Sequence, residues 1–99
     1  MKLRYEVRKL ALSDLDAIWE YTADQWSKQQ ANKYYKQIFE VINDICSNPE
    51  IGKIINDVKE GHRMMYVKSN MIVYKIVNNK ILIDRILHQR MDIVAQLNE

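Results

Sequence analysis

The hydrophobic periodicity of the chain changes from helical to strand-like between residues 47 and 61, and this change restricts the fold more than any other feature of the sequence. From about Ser27 to residue 47, apolar side chains recur at three- and four-residue spacing, which is typical of an amphipathic helix. From residue 61 onward, three runs rich in β-branched and aromatic residues, HRMMYVK, NMIVYKIV and ILIDRILH, predict strands. Pro49 separates the two regimes, because proline lacks an amide hydrogen and disfavours helical geometry at the preceding residue.

The N-terminal residues predict one more strand and one more helix. Residues 2–9 alternate apolar and charged side chains, as a half-buried strand does. Ser13, followed three residues later by Asp16, predicts the start of a helix with a capping box. Asp14 then belongs to an acidic outer face. This helix and the next one should form a helical hairpin.

Short polar segments separate the C-terminal strands. Ser69-Asn70 and Asn78-Asn79 predict tight turns, because asparagine tolerates the positive φ that hairpin turns demand. Asp92 is positioned to cap a short last helix. The order β-α-α-β-β-β(-α) predicts a single α+β domain over residues 1–99, with a helical hairpin packed on one face of an antiparallel sheet.

Composition excludes several classes of protein. The net charge of +2 gives no strong electrostatic case for direct nucleic-acid binding, although residues 51–99 carry eight basic and five acidic side chains. The lone Cys46 precludes an internal disulfide and fits a reducing compartment. No apolar run approaches the ~20 residues of a membrane span, and two widely spaced histidines with one cysteine do not form a zinc site. We therefore expect a cytoplasmic protein with no metal and no cofactor.

The segment RILHQRMD at the end of the last strand suggests an acid–base site, but its spacing argues against one. His88 and Asp84 share a strand face, yet four residues separate their α-carbons by about 13 Å, which is too far for the carboxylate to orient the imidazole. We interpret His88 as a strand-end histidine that hydrogen-bonds a neighbouring backbone group or caps the last helix. His62, beside Gly61 at a turn, is expected to be exposed.

Arg85 is a separate question, because strand alternation places it on one face with Ile83 and Leu87. An arginine among aliphatic side chains must find an anion. We favour an internal acidic partner over an exposed binding role, and Asp84 points to the opposite face.

Five segments occur along the chain in the order ALSDLDAIWEY, QWSKQQANKYYKQI, SNPEIGK, GHRMMYVKSNMIVYKI and RILHQRMD. In their order and spacing they resemble the toxins of the RelE/ParE superfamily, and most closely its ParE branch. The resemblance implies a toxin of a type II, plasmid-stabilisation-like toxin–antitoxin pair, neutralised by a cognate antitoxin. ParE-type toxins inhibit DNA gyrase and hence replication, whereas RelE-type relatives cut mRNA on the ribosome. Ser27 and Lys53 depart from the usual glycine and arginine.

The two branches differ in whether the toxin is an enzyme. By resemblance to RelE-type ribonucleases, the weak catalytic candidates are Arg63, His88 and Arg90, but Met65 and Met71 stand where such enzymes carry further basic residues. Metal-independent RNA cleavage needs cations around its transition state. We therefore favour a gyrase inhibitor that does no chemistry. The alternatives are a ribosome-dependent mRNA endoribonuclease and an inactive antitoxin-binding module.

Two partner surfaces are predicted near the β-hairpin. Apolar side chains there, methionines above all, can adapt to a disordered antitoxin tail that folds on binding. The candidate antitoxin-binding residues are Met64, Met65, Tyr66 and Met71. A charged rim is expected to align gyrase. The candidate target-binding residues are Arg63, Lys68, Arg90 and Asp92.

Overall fold

The computed structural model describes residues 2–98, and in that part the chain forms five strands and three helices. The helices and strands follow the predicted order, with one additional short strand, β2, after the helical hairpin. The elements are β1 (Arg4–Val7), α1 (Lys9–Gln25), α2 (Lys28–Ser47), β2 (Lys53–Ile54), β3 (His62–Val67), β4 (Asn70–Val77), β5 (Lys80–His88) and α3 (Ile93–Leu97).

The predicted α+β architecture is confirmed, with one difference in the sheet. The strand order is β1-β5-β4-β3-β2, and β2 to β5 pair antiparallel with their neighbours. β1 instead pairs parallel with β5, so the sheet is mixed rather than antiparallel throughout. No hairpin joins these two strands, so the turn geometry that forces antiparallel pairing does not apply to them.

The observed start of α1 differs from the predicted one, whereas that of α2 does not. α1 begins four residues before Ser13, at Lys9, and its N-cap Arg8 makes no side-chain capping bond. The capping-box prediction at Ser13 is therefore wrong. Ala11 is buried, and this packing stabilises the helical turn before Ser13 more than a local cap would stabilise a later start. The start of α2 is confirmed, because Ser27 Oγ accepts the backbone N–H of Gln30 at 3.0 Å.

The turns and the last helix largely match expectation. Asn78 and Asn79 have φ values of 50° and 60°, as a type I′ turn requires. The β3–β4 turn lies one residue earlier than predicted, at Lys68-Ser69, and Lys68 adopts φ 52°. Asp92 caps α3, with its side chain accepting the N–H of Ala95 at 3.2 Å.

The sheet is covered on both faces. α1 and α2 pack on one face over the main core, which includes Leu15, Ile38, Ile42 and Tyr74. On the other face, α3 and the loop after β2 cover a second, smaller core. Its buried members are Ile55, Met64, Met71, Val73, Leu87 and Leu97.

A β-bulge interrupts β5. Arg85 lies opposite Val73 and Ile83 lies opposite Tyr74, which leaves Asp84 as an extra residue. A bulge reverses the in–out alternation of a strand. The aliphatic residues before Arg85 belong to the main core and Leu87 belongs to the second, so the prediction that they share one face with Arg85 is wrong.

Candidate functional site

An open groove of about 810 Å³ lies between the turn of the helical hairpin and the C-terminal end of β5. We call it the basic-edged groove, because Lys68, His88 and Arg90 line one side of it. Three large side chains of its lining, Tyr21, Trp26 and Met91, are solvent-exposed, and clustered exposed apolar side chains mark interaction surfaces. Its apolar lining comprises Ala17, Ile18, Tyr21, Trp26, Ile86 and Met91.

A buried hydrogen-bond network fixes one wall of this groove. The Tyr34 hydroxyl on α2 lies 2.9 Å from the carbonyl oxygen of Val67 and 2.6 Å from Oδ1 of Asn70, and shares its hydrogen between these acceptors. The Asn70 amide donates to the carbonyl of Leu87 at 3.3 Å. Burial raises the pKa of Tyr34, which keeps the hydroxyl protonated as a donor. The network ties α2 to the ends of three strands.

The basic side of the groove, formed by Lys68, His88 and Arg90, lies next to this hydrogen-bonded wall. Lys68 Nζ lies 5.9 Å from the centroid of the Tyr34 ring, within reach of a cation–π interaction. His88 Nδ1 accepts the backbone N–H of Arg90 at 3.1 Å, so His88 does hydrogen-bond a neighbouring backbone group. Lys68 and Arg90 are exposed. The edge therefore presents two exposed cations beside a histidine that orders its own turn.

Arg63 lies apart from this edge. Its Nη1 donates to the carbonyl oxygens of Glu50 at 3.1 Å and Gly52 at 2.9 Å, on the far side of the helical hairpin's exit. Four residues of strand separate it from Val67, which is about 13 Å along β3. Arg63 therefore does not line the basic-edged groove, whereas Lys68 and Arg90 do, and the expected role of Arg63 and Asp92 in target binding stays a prediction. Nor do Arg63, His88 and Arg90 converge on a point where a reacting atom could sit.

The four apolar residues expected to bind the antitoxin do not form one exposed patch. Met64 and Met71 are buried in the second core, and Met65 is half-buried against the main core. That expectation of exposure is wrong for these three, because the sheet is covered on both faces. Tyr66 is 55% exposed, and its role in antitoxin binding stays a prediction.

His62 is buried, not exposed, and it faces a carboxylate. Its Nδ1 lies 2.9 Å from the carbonyl oxygen of Glu60, and its Nε2 lies 3.4 Å from Asp84 Oδ2, an ion-pair distance without hydrogen-bond geometry. Arg8 at 3.0 Å and Lys59 at 3.2 Å also contact Asp84. Burial raises the pKa of Asp84, but the hydrogen bond and charge of Lys59, with His62 and Arg8, outweigh it and leave the pKa below its ordinary value. This cluster anchors the β-bulge.

The internal partner expected for Arg85 is Asp14. Arg85 Nε and Nη2 contact the two carboxylate oxygens at 2.8 and 3.0 Å, and the N–H of Ile86 donates to the same carboxylate at 2.9 Å. Arg85 also donates to the carbonyl oxygen of Gln96 at 3.3 Å. The placement of Asp14 on an acidic outer face was therefore wrong, because α1 packs across β5 just beyond the bulge.

Sequence reasoning missed the two most exposed aromatic residues of the groove. Trp26 is 77% exposed and Tyr21 is 66% exposed. Trp26 follows the last residue of α1 and precedes the N-cap Ser27, so helical periodicity does not predict which way its side chain faces. The capping signal at Ser27 was the clue that the residue before it lies in a turn.

Two further kinds of site are absent from residues 2–98. None of the helices in this part combines the length and the apolar character that crossing a membrane requires. The same residues contain no group of three or more His, Cys, Asp or Glu side chains arranged to hold a metal ion. Cys46 is buried, and desolvation raises the pKa of its thiol more than Lys2 lowers it, which keeps it protonated.

Comparison with known proteins identifies the family. Residues 5–93 match the family described as the ParE toxin of the type II toxin–antitoxin system parDE. The chain belongs to the ParE toxin family. Toxin ParE1 of Mycobacterium tuberculosis is 31% identical over 98 residues, covering 98% of this chain and all of that protein. Toxin ParE1 of Caulobacter vibrioides is 31% identical over 93 residues, covering 94% and 96%. The resemblance read from the sequence is thereby confirmed.

Solved structures show the same fold. A chain of the chromosomal ParDE toxin–antitoxin system from P. aeruginosa superposes with a TM-score of 0.77 at 19% identity, covering 88% of this chain and 96% of that one. A chain of the RelBE2 toxin–antitoxin complex from Mycobacterium tuberculosis gives a TM-score of 0.69 at 15% identity, covering 89% and 99%. The RelE/ParE fold expected from the sequence is confirmed.

Proposed function

We propose that this ParE-family chain acts in the cytoplasm as the toxin of a type II toxin–antitoxin pair, inhibiting DNA gyrase by binding it, and that a cognate antitoxin neutralises it. The main support is the match to the ParE toxin family over residues 5–93. The exposed groove with cations along one side gives that function a physical basis, since a binding inhibitor needs an accessible, partly charged surface.

The geometry favours inhibition by binding over RNA cleavage. Metal-independent cleavage of RNA requires a base, an acid and cations within hydrogen-bond reach of one phosphate. Arg63 is held by backbone carbonyls at the other end of β3, and His88 uses its Nδ1 on the backbone. Arg63 is therefore too far from His88 to act on the same phosphate, and one of the two ring nitrogens of His88 is already occupied.

The target contact is assigned to Lys68 and Arg90, the two exposed cations of the groove. Charges at the border of an interface mainly speed the encounter and fix the orientation of the partner. Each exposed charge alone contributes less than ~1 kcal/mol, so reversing both charges is the informative change. Deleting residues 92–99 would be a poor test, because Leu97 is buried in the second core.

The antitoxin is assigned to the apolar part of the same groove. An amphipathic segment could place apolar side chains against Tyr21, Trp26 and Met91 while its acidic side chains meet Lys68 and Arg90. Occupation of the groove would cover both cations. Neutralisation then follows from direct competition with the target.

The proposal is tested by a supercoiling assay with purified gyrase, together with induction in a host followed by mapping of mRNA 5′ ends. We expect gyrase inhibition with intact messages. Lys68→Glu with Arg90→Glu should abolish inhibition, whereas His88→Ala should retain it. Lys33→Glu with Lys36→Glu, the same charge change on exposed positions of α2, is the matched control.

Other outcomes would overturn the proposal in distinct ways. Codon-linked cuts in mRNA, lost in His88→Ala, would instead indicate a ribosome-dependent endoribonuclease. A folded chain that binds its antitoxin but affects neither gyrase nor messages would be an inactive antitoxin-binding module.

A further inference from the structure

The outer edge of β1 carries backbone groups directed away from the sheet. The N–H of Arg8 donates to the carbonyl of Ile83 on β5 at 3.0 Å, whereas the N–H of Leu3 points the other way, to the carbonyl of Cys46 on α2 at 2.9 Å. Successive residues of a strand direct their backbone groups to opposite sides. Even-numbered residues of β1 therefore bond to β5, and odd-numbered residues face outward.

Tyr5 and Val7 are the outward-facing residues of β1. Among residues 2–98, no hydrogen bond is formed by the backbone groups of either residue on that side. β1 is also the first strand in the sheet order, so no other strand of residues 2–98 pairs with its outer edge. An open edge of this kind is a template for another strand.

We propose that β1 pairs antiparallel with β1 of a second copy of this chain, about a twofold axis between the two Tyr5 residues. Each Tyr5 would then exchange N–H and C=O bonds with its counterpart, and each Val7 N–H would reach the Leu3 carbonyl of the other copy. The Leu3 N–H stays with Cys46. The two sheets would become one ten-stranded sheet with an isologous interface.

The charges of the strand are self-complementary in this register. When the pair of strands is centred on Tyr5, Arg4 of each copy lies opposite Glu6 of the other, which gives two such pairs. Cross-strand pairs of opposite charge are stabilising. Natural edge strands are often protected by a proline or a β-bulge, and β1 has neither. The only like-charged pair would be Lys2 with Arg8, and the Arg8 guanidinium is already bound to Asp84 at 3.0 Å.

An aromatic cluster would also be completed. On the helix side of the strand, the Tyr5 and Phe39 rings lie 6.2 Å apart and the Phe39 and Tyr35 rings lie 5.0 Å apart. Tyr5 is 43% exposed and Tyr35 is 37% exposed. The two Tyr5 side chains would lie side by side, so that the aromatic clusters of both copies form one row. This contact would bury tyrosine surface, and tyrosine is enriched at interfaces. Because the contact is small, we expect a dissociation constant on the order of 10–100 µM.

The test is sedimentation velocity on the full chain from about 1 µM to 500 µM, spanning the expected dissociation constant. Wild type should shift from monomer to dimer. Arg4→Glu and Glu6→Arg should each be monomeric, because each sets like charges opposite one another. An equimolar mixture of the two variants should dimerise, because their pairing restores both opposite-charge contacts. Glu20→Arg, on exposed α1, should behave as wild type.

Circular dichroism controls for folding, since Glu6→Arg also removes an exposed ion pair with Lys80. Amide hydrogen exchange supplies a second readout that needs no variant. The Tyr5 and Val7 amides should become protected as concentration rises, while the Glu6 amide, bonded to β5, is protected throughout. A wild type that stays monomeric, or a variant mixture that does, overturns the proposal. So does protection of the Tyr5 amide by antitoxin alone, since the edge would then belong to that partner.

Discussion

Arg85 on β5 and Asp14 on α1 form a bidentate ion pair, with contacts of 2.8 and 3.0 Å, that joins the sheet to the helical hairpin. The two side chains are only 10% and 14% exposed. The pair forms immediately after the β-bulge, where β5 is no longer covered by β1. It therefore closes the sheet edge next to the basic-edged groove, of which Asp14 is also a lining residue.

Asp14→Ala should destabilise the fold strongly, because it leaves the Arg85 guanidinium and the Ile86 N–H without this acceptor. Breaking a largely buried ion pair by removing one partner costs about 3 kcal/mol. Urea denaturation of wild type and variant measures the loss. Asp16→Ala, an exposed neighbour on the same helix, should stay within about 0.5 kcal/mol of wild type. Equal stabilities for the two variants would contradict a structural role for the pair.

Tyr74→Phe should lower stability through the loop that follows α2. The buried Tyr74 hydroxyl donates to the carbonyl of Pro49 at 2.7 Å and accepts the N–H of Gly52 at 2.9 Å. Burial raises the pKa of Tyr74 against the opposing effects of Gly52 and Arg63, which keeps the donor protonated. Removing the hydroxyl leaves a buried donor and acceptor unsatisfied, at a cost of about 2 kcal/mol by thermal or urea unfolding. Tyr66→Phe, at an exposed position, should cost almost nothing.

The Asp84 cluster makes stability depend on pH in acid. Because the folded pKa of Asp84 lies below its ordinary value of 3.8, the unfolded chain binds this proton first as pH falls. The stabilisation by Asp84 is thus complete well above pH 3.8 and is lost as pH falls through the depressed folded pKa. The difference in unfolding free energy between wild type and Asp84→Asn should be largest near neutral pH and shrink in acid. Asp57→Asn, exposed and outside the cluster, should track wild type throughout.

Trp26→Ala should weaken antitoxin binding without affecting the fold. The side chain is 77% exposed, so truncation removes little buried surface, while tryptophan in an interface commonly acts as an anchor. We expect the dissociation constant to rise at least about tenfold in isothermal titration calorimetry, equivalent to ~1.4 kcal/mol. Leu12→Ala, a 48% exposed residue of α1 outside the groove, is the control. If the Trp26 variant bound the antitoxin with unchanged affinity, the assignment of the antitoxin to the groove would be wrong.

Features encoded over a few residues were predictable. These features are the Ser27 cap, the end of α2 before Pro49, the Asn78-Asn79 turn and the Asp92 cap. Each depends on the backbone preferences of a few neighbouring residues, which can be read from the sequence. The start of α1 was not predictable in this way. Its local signal at Ser13 was outweighed by burial of Ala11, which depends on a sheet that assembles later in the chain.

The candidate site also combines features that the sequence predicts with features that only the tertiary structure determines. The resemblance of several segments to known toxins indicated the family. The sequence also predicted the three-strand meander and the need of Arg85 for an anionic partner, because these depend on periodicity and charge. Which anion, and on which face, was decided by the bulge at Asp84, since one extra residue reverses every later side chain of the strand. Covering of the second sheet face by α3 likewise buried Met64 and Met71. The groove beside Trp26 exists only because the helical hairpin and the end of β5, distant in sequence, meet in space.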